Sequence, residues 1–174
     1  MRNRGWSAVV AAVGTVAVSV APVAAQEGRV TDRRGDAHGR GLDIVAASVD
    51  NGRDRLVARV SVVDAVRGDL IVSVEPRRGR GVRLVSEHRP DGETRSYVVP
   101  GAFTGRQVAS APRCDGLRVR WFADRGMARM TMPSSCLAGG DYGAVRFAVL
   151  TERRRDTDYA PGAAVRASDW IPRG

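Results

Sequence analysis

Residues 55–75 read RLVARVSVVDAVRGDLIVSVE, and the fold turns on how that stretch is taken. Leu56, Ala58, Val60 and Val62 alternate with Val57, Arg59, Ser61 and Val63; past Arg67-Gly68-Asp69, Leu70, Val72 and Val74 alternate with Ile71, Ser73 and Glu75. An apolar side chain at every second position lines one face of an extended chain, whereas an amphipathic helix needs apolar residues three and four apart. The stretch therefore predicts two strands, with turn chemistry between them.

Working outward, the same alternation recurs in 82–87 (VRLVSE), 117–123 (LRVRWFA) and 143–150 (GAVRFAVL), with Arg83, Arg118, Arg120 and Arg146 on the face opposite the apolar set and so pointing outward. Turn signals separate the runs: Asp50-Asn51-Gly52, Pro90-Asp91-Gly92, Pro100-Gly101, Asp115-Gly116 and Gly139-Gly140-Asp141. Strands are expected at 42–49, 55–64, 69–75, 81–87, 95–99, 117–123, 127–132 and 143–151, with 102–110 left open. Apart from the N-terminal apolar stretch, no long window keeps a 3.6-residue period. Short strands at close spacing with short loops predict an all-β domain, an antiparallel two-sheet sandwich of jelly-roll type in preference to a closed barrel.

The ends read differently. Arg2 and Arg4 precede an apolar run at 8–21 (AVVAAVGTVAVSVA), Pro22 ends it, and Val23-Ala24-Ala25 offers small residues for cleavage before Gln26, so residues 1–25 are expected to be a secretory signal peptide. The run is shorter than the roughly 20 residues a spanning helix needs, so no stable membrane span is expected. Residues 26–41 (QEGRVTDRRGDAHGRG) read as a polar lead-in outside the core, and 42–174 as a single β-sandwich domain. The polar tail from Arg153 is expected to pack back on the sandwich through Tyr159 and Trp170. Export implies an oxidising compartment, where Cys114 and Cys136 most simply pair. Closing that loop stabilises the fold by roughly 3 kcal/mol on the chain-entropy account. A redox or nucleophilic thiol lacks both a CxxC arrangement and a nearby histidine.

The chain has 174 residues, 43% of them hydrophobic and 5% aromatic, which suits one globular domain and fits neither a disordered chain nor a disulfide-dense mini-protein. All 28 basic residues are arginine and the formal net charge is +9. His38 and His88 are the only imidazoles; His88 sits beside a predicted turn and reads as a solvated side chain. There is no GxSxG, zinc-ligand spacing, phosphate loop, dinucleotide fingerprint or HExxH. A carboxylate hydrolase would need two acids, such as Asp115 and Asp124, converging about 5 to 10 Å apart.

Asp32, Asp36 and Asp43 cluster around the first expected strand, and with Asp156 and Asp158 of the tail could supply oxygen ligands to calcium; the alternative is that Asp32 and Asp36 are solvated acids balancing Arg33 and Arg34. Arg34-Gly35-Asp36 and Arg67-Gly68-Asp69 match the integrin tripeptide, but turn chemistry accounts for both. Nucleic acid is not an expected partner, because the clusters at 77–80 and 153–155 are short and Trp121 and Phe122 do not interleave with a basic stripe. A diffuse basic surface suits an anionic cell-envelope component or glycan.

A signal peptide, the Asp32, Asp36, Asp43-Ile44 segment, a string of strands, Cys114 before a strand and Met132-Pro133-Ser134-Ser135-Cys136-Leu137 together resemble small secreted β-sandwich proteins of high-GC Gram-positive bacteria. At the level of pattern the chain is also similar to carbohydrate-binding and DOMON-type domains. That likeness implies a secreted, non-enzymatic, ligand-binding role. It also implies a paired-aspartate segment in the tail, where this chain has Asp156-Thr157-Asp158.

Overall fold

The alternation at 55–75 sets the two layers. Leu56, Ala58, Val60 and Val62 are buried on the inner face of one strand and Leu70, Val72 and Val74 on that of the next, and the turn between them carries the chain from one sheet to the other. In the computed structural model, which describes residues 26–39, 41–102, 114–162 and 166–174, ten strands form an antiparallel two-sheet sandwich. They are β1 (Gln26–Thr31), β2 (Ile44–Asn51), β3 (Arg55–Val62), β4 (Gly68–Pro76), β5 (Val82–His88), β6 (Arg95–Pro100), β7 (Arg118–Phe122), β8 (Met127–Pro133), β9 (Val145–Arg153) and β10 (Asp156–Ala160). The first sheet has the order β1-β2-β3-β8-β7 and the second β10-β9-β4-β5-β6.

The inner faces interdigitate as one core. Ile44, Val49, Leu56, Val60, Met130 and Met132 from the first sheet meet Leu70, Val72, Leu84, Phe147 and Val149 from the second, all within 1% of full burial. Burial of this kind, at about 25 cal/mol per Å² of apolar surface, is what drives the layers together. Cys114 and Cys136 form a disulfide with a Cα–Cα distance of 5.3 Å, tying the entrance of β7 to the short 3-10 turn after β8. Among the described residues no helix is long and apolar enough to cross a membrane.

The chain's ends depart from the expectation. Residues 26–31, expected as a polar lead-in outside the core, form β1, the edge strand paired with β2 from Gln26↔Asn51 to Thr31↔Ala46, with no residue fully buried and Val30 packed against the core. A single inward apolar residue is too weak a period-two signal, and backbone pairing holds the strand instead. In the tail, β10 adds a further edge strand to β9, with Ala160 buried. Beyond it Ile171 bridges Val145 through backbone hydrogen bonds of 2.7 and 3.0 Å, and Trp170 lies between the guanidinium groups of Arg77 and Arg146 at 5.1 and 5.0 Å. The signal-peptide segment 1–25 and nearly all of 102–110 lie outside the described residues.

His88 is the other departure. It is not a solvated loop side chain: Leu84, Ser86 and His88 share the inward face of β5, and His88 is 5% exposed. Its ring stacks on Trp121 of the opposite sheet with centroids 4.0 Å apart, while Trp121 donates from Nε1 to Ser86 Oγ at 3.0 Å. Burial pushes the His88 pKa down, and Arg89 adds to that effect.

Candidate metal centre

The carboxylates gather where the two sheets meet at one end. Asp32 follows β1 directly, Asp36 lies in the loop beyond it, and Asp158 is on β10, whose Asp158 and Ala160 face inward. The loop is drawn onto β10 by the hydrogen bond from the His38 amide to the Thr157 carbonyl, 3.2 Å. Gly39 lets it come close: with φ +90° it has a backbone few other residues tolerate, and a side chain there would strike the Asp156 carboxylate. One carboxylate oxygen from each of Asp32, Asp36 and Asp158 then falls within 4.8 Å of the others.

These groups are graded in exposure. Asp36 is exposed, Asp32 half-buried, and Asp158 only 5% exposed. Asp158 is held rigidly, accepting from the Ile44 amide at Oδ2 (2.7 Å) and from the Tyr159 amide at Oδ1 (2.8 Å). Burial first, and then the charges of Asp32 and Asp36, raise its pKa to about 6 against those two hydrogen bonds. Asp32 is raised too, by burial first and then by Asp36 and Asp43, with the Arg33 and Gly162 amides opposing.

Two oxygens carry the argument. Asp32 Oδ2 and Asp43 Oδ1 are both buried and have no hydrogen-bond partner among the described residues. A buried, unpartnered carboxylate oxygen is costly, and each such atom calls for a cation, a donor or an ordered water. The chain has 28 arginines, yet among the described residues none is ion-paired to Asp32, Asp36 or Asp158. The arrangement therefore differs from solvated acids balanced by Arg33 and Arg34.

Of the residues expected from sequence, the structure brings Asp32 and Asp36 together and joins Asp158 to them. Asp43 stands outside the triangle: its Oδ2 accepts from the Gly35 amide at 2.8 Å, which fixes the turn that presents Asp36, and its Oδ1 points into buried space. Asp156 packs beneath Gly39 and is not one of the three. The Arg34-Gly35-Asp36 tripeptide is thus part of this cluster, and in the second such tripeptide Asp69 is paired to Arg89 at 3.0 Å. In sequence Asp158 stands beside Asp156 as a second tail acid, with little apolar alternation to tell the two apart; its contact with the Ile44 amide of β2 comes only from the fold.

The oxygen-only donor set suits calcium, which takes six to eight oxygen ligands at 2.3–2.6 Å. Two ligands on opposite sides of such an ion stand about 5 Å apart, the span this cluster covers. Asp32, Asp36 and Asp158 would hold the ion, and its positive charge would lower the raised pKa values of Asp32 and Asp158. No family model, curated protein or solved structure matches the chain.

Proposed function

We propose that the chain is an exported, non-enzymatic β-sandwich module that binds a cell-envelope or extracellular ligand, and that a calcium ion on Asp32, Asp36 and Asp158 clasps its two sheets together. The observation that carries the calcium reading is the convergence of three carboxylates beside buried oxygens that lack donors. Mutual repulsion and desolvation make this cluster unfavourable by itself, and a divalent cation reverses both. Export is supported by the disulfide and by the character of residues 1–25. The ion would act structurally, since the loop after β1 and strand β10 come from opposite sheets.

Thermal melting of the disulfide-bonded protein tests this. Calcium at a hundredfold excess over its Kd stabilises by about 2.7 kcal/mol. For a domain of this size the melting temperature should rise by roughly 5–10 °C over the chelated protein. With the weak affinity typical of extracellular calcium modules, roughly 10⁻⁴–10⁻³ M, that excess is about 10–100 mM. Magnesium, which demands tight octahedral geometry and gives up its waters reluctantly, should give a smaller rise. Identical melts with calcium and with chelator would sink the assignment.

The alternative of a carboxylate hydrolase loses the pair it was based on. Asp115 precedes β7 and Asp124 follows it, both exposed, and β7 alone spans about 16 Å. A sugar platform of stacked aromatics is equally unsupported, because Trp121 packs on His88 between the sheets and Trp170 between two arginines on the outside of the second sheet.

A further inference from the structure

The arginines are not evenly distributed over the two outer faces. On the first sheet, register places Arg29 of β1, Ser48 of β2, Arg59 of β3, Arg129 of β8 and Arg120 of β7 in one line across the strands. Arg118 of β7 and Arg55 of β3 share the same outer face, which makes six arginines against the two carboxylates Glu27 and Asp50. Of the six, only Arg59 is ion-paired among the described residues, to Asp50 at 2.7 Å. The second sheet's outer face carries Arg83, Arg95 and Arg146 against four carboxylates, Asp69, Glu75, Glu87 and Glu152.

Charge kept only for solubility has no reason to line up in this way. Arg59 faces Arg129 directly, and Arg129 faces Arg120. Like charges in direct cross-strand register oppose the pairing of their strands. The row extends over four strand spacings, about 19 Å, at the roughly 4.8 Å interval of neighbouring strands. Beside it lies a groove of about 280 Å³ lined by Val57 and by Arg53, Arg55, Arg59 and Arg129, with Asp50 and Asp54 as the acids on its wall.

We propose that this row binds a linear phosphodiester polymer without bases, laid across the strands of the first sheet. A one-dimensional array of cations fits an extended polyanion, and the guanidinium fork matches phosphate oxygens two at a time. Among the described residues the exposed large apolar side chains are Val63, just past the end of β3, and Tyr97, on the second sheet, so the row itself carries charge without the apolar wedge that inserts into a lipid surface. Phe122 is the one aromatic among these outward residues and sits under Arg120 at 4.8 Å, so there is no platform on which bases would stack. The proposal takes its setting from the extracytoplasmic reading above, but its test in vitro does not depend on export or on calcium.

The probe is poly(glycerol phosphate), a phosphodiester backbone without bases, titrated with the disulfide-bonded protein in saturating calcium at several salt concentrations. The wild-type protein should bind with an affinity that falls linearly on a log–log plot against salt, at about 0.7 per phosphate engaged. Arg59→Gln/Arg120→Gln/Arg129→Gln should lower that slope by about 2 and weaken binding at least tenfold at low salt. The charge-matched control Arg78→Gln/Arg80→Gln/Arg95→Gln, away from the row, should change the affinity less than twofold. Equal losses in both triple variants would reduce the effect to net charge and overturn the proposal. So would tighter binding to phosphatidylglycerol vesicles, or to single-stranded DNA of equal charge, than to the polymer. A melting curve for each variant separates lost binding from lost folding, and the row variant should melt no lower than the wild type.

Discussion

At the scale of one residue, Asp158 has two opposed roles. Its hydrogen bond from the Ile44 amide holds β2 against β10 and a second, from the adjacent Tyr159 amide, fixes the carboxylate, yet its charge is buried beside Asp32 and Asp36. A structural aspartate loses stability when replaced by asparagine; a metal ligand in a metal-free protein gains it, because the repulsion and the desolvated charge both disappear. With the pKa raised to about 6 from 3.8, the ionised carboxylate at pH 7 costs at most about 3 kcal/mol. Asp158→Asn should therefore raise the chelated protein's stability by on the order of 1–2 kcal/mol, the lost hydrogen bond at one amide offsetting part of the gain. The same variant should lose most of the calcium-dependent rise in melting temperature. Urea unfolding with and without calcium reads both effects, and a variant that is less stable in chelator yet responds to calcium like the wild type would assign Asp158 a purely structural part.

At the scale of the element, the cross-strand pair Arg59 and Arg129 shows what a sheet keeps when a binding surface is built on it. Arg129 is exposed and faces an arginine on each side. Arg129→Gln should stabilise the protein by roughly 0.2–1 kcal/mol in low salt, with the gain shrinking as salt screens the row. Denaturant midpoints at two ionic strengths check this, and a loss of stability would show the row to be held by contacts of another kind. The strands that make this face were legible wherever an apolar residue recurred at every second position, as in β3, β4, β5 and β9. β1 and β10 were not legible, because edge strands carry few inward apolar residues and are held by backbone pairing with their neighbours β2 and β9, which leaves no apolar period to read. His88 departs from its reading for a related reason: the expected strand stops at 87, one residue short, whereas β5 keeps its inward alternation through Leu84, Ser86 and His88. The acid cluster was half legible, since Asp32 and Asp36 lie close in sequence whereas Asp158 arrives from the far end of the chain.

At the scale of the whole molecule, acid affects the two buried titrating sites in opposite directions. Asp158 and Asp32 have raised pKa values, so the stability they allow is full below their ordinary value near 3.8 and is lost as pH rises through the folded-state value, about 6 for Asp158. His88 has a lowered pKa, so its contribution is present above 6.5 and is lost as pH falls below it. Between pH 7 and pH 5 these trends oppose each other, and the chelated protein should show a shallow stability profile that says little about either site. Calcium separates them. The ion must displace a proton from Asp158 once the pH drops below about 6, so its affinity should fall by up to tenfold for each further pH unit, while His88, on β5 and three strands away from β10 in the second sheet, is not among the ligands. The calcium-induced rise in melting temperature, measured at a fixed subsaturating concentration, should accordingly shrink between pH 6.5 and pH 5, and raising the calcium concentration about tenfold should restore it at pH 5. In Asp158→Asn the residual calcium response should keep only the pH dependence that Asp32 supplies. A calcium response of equal size at pH 7 and pH 5 in the wild type would mean that the ion binds carboxylates other than the buried one, and the clasp between the sheets would have to be placed elsewhere.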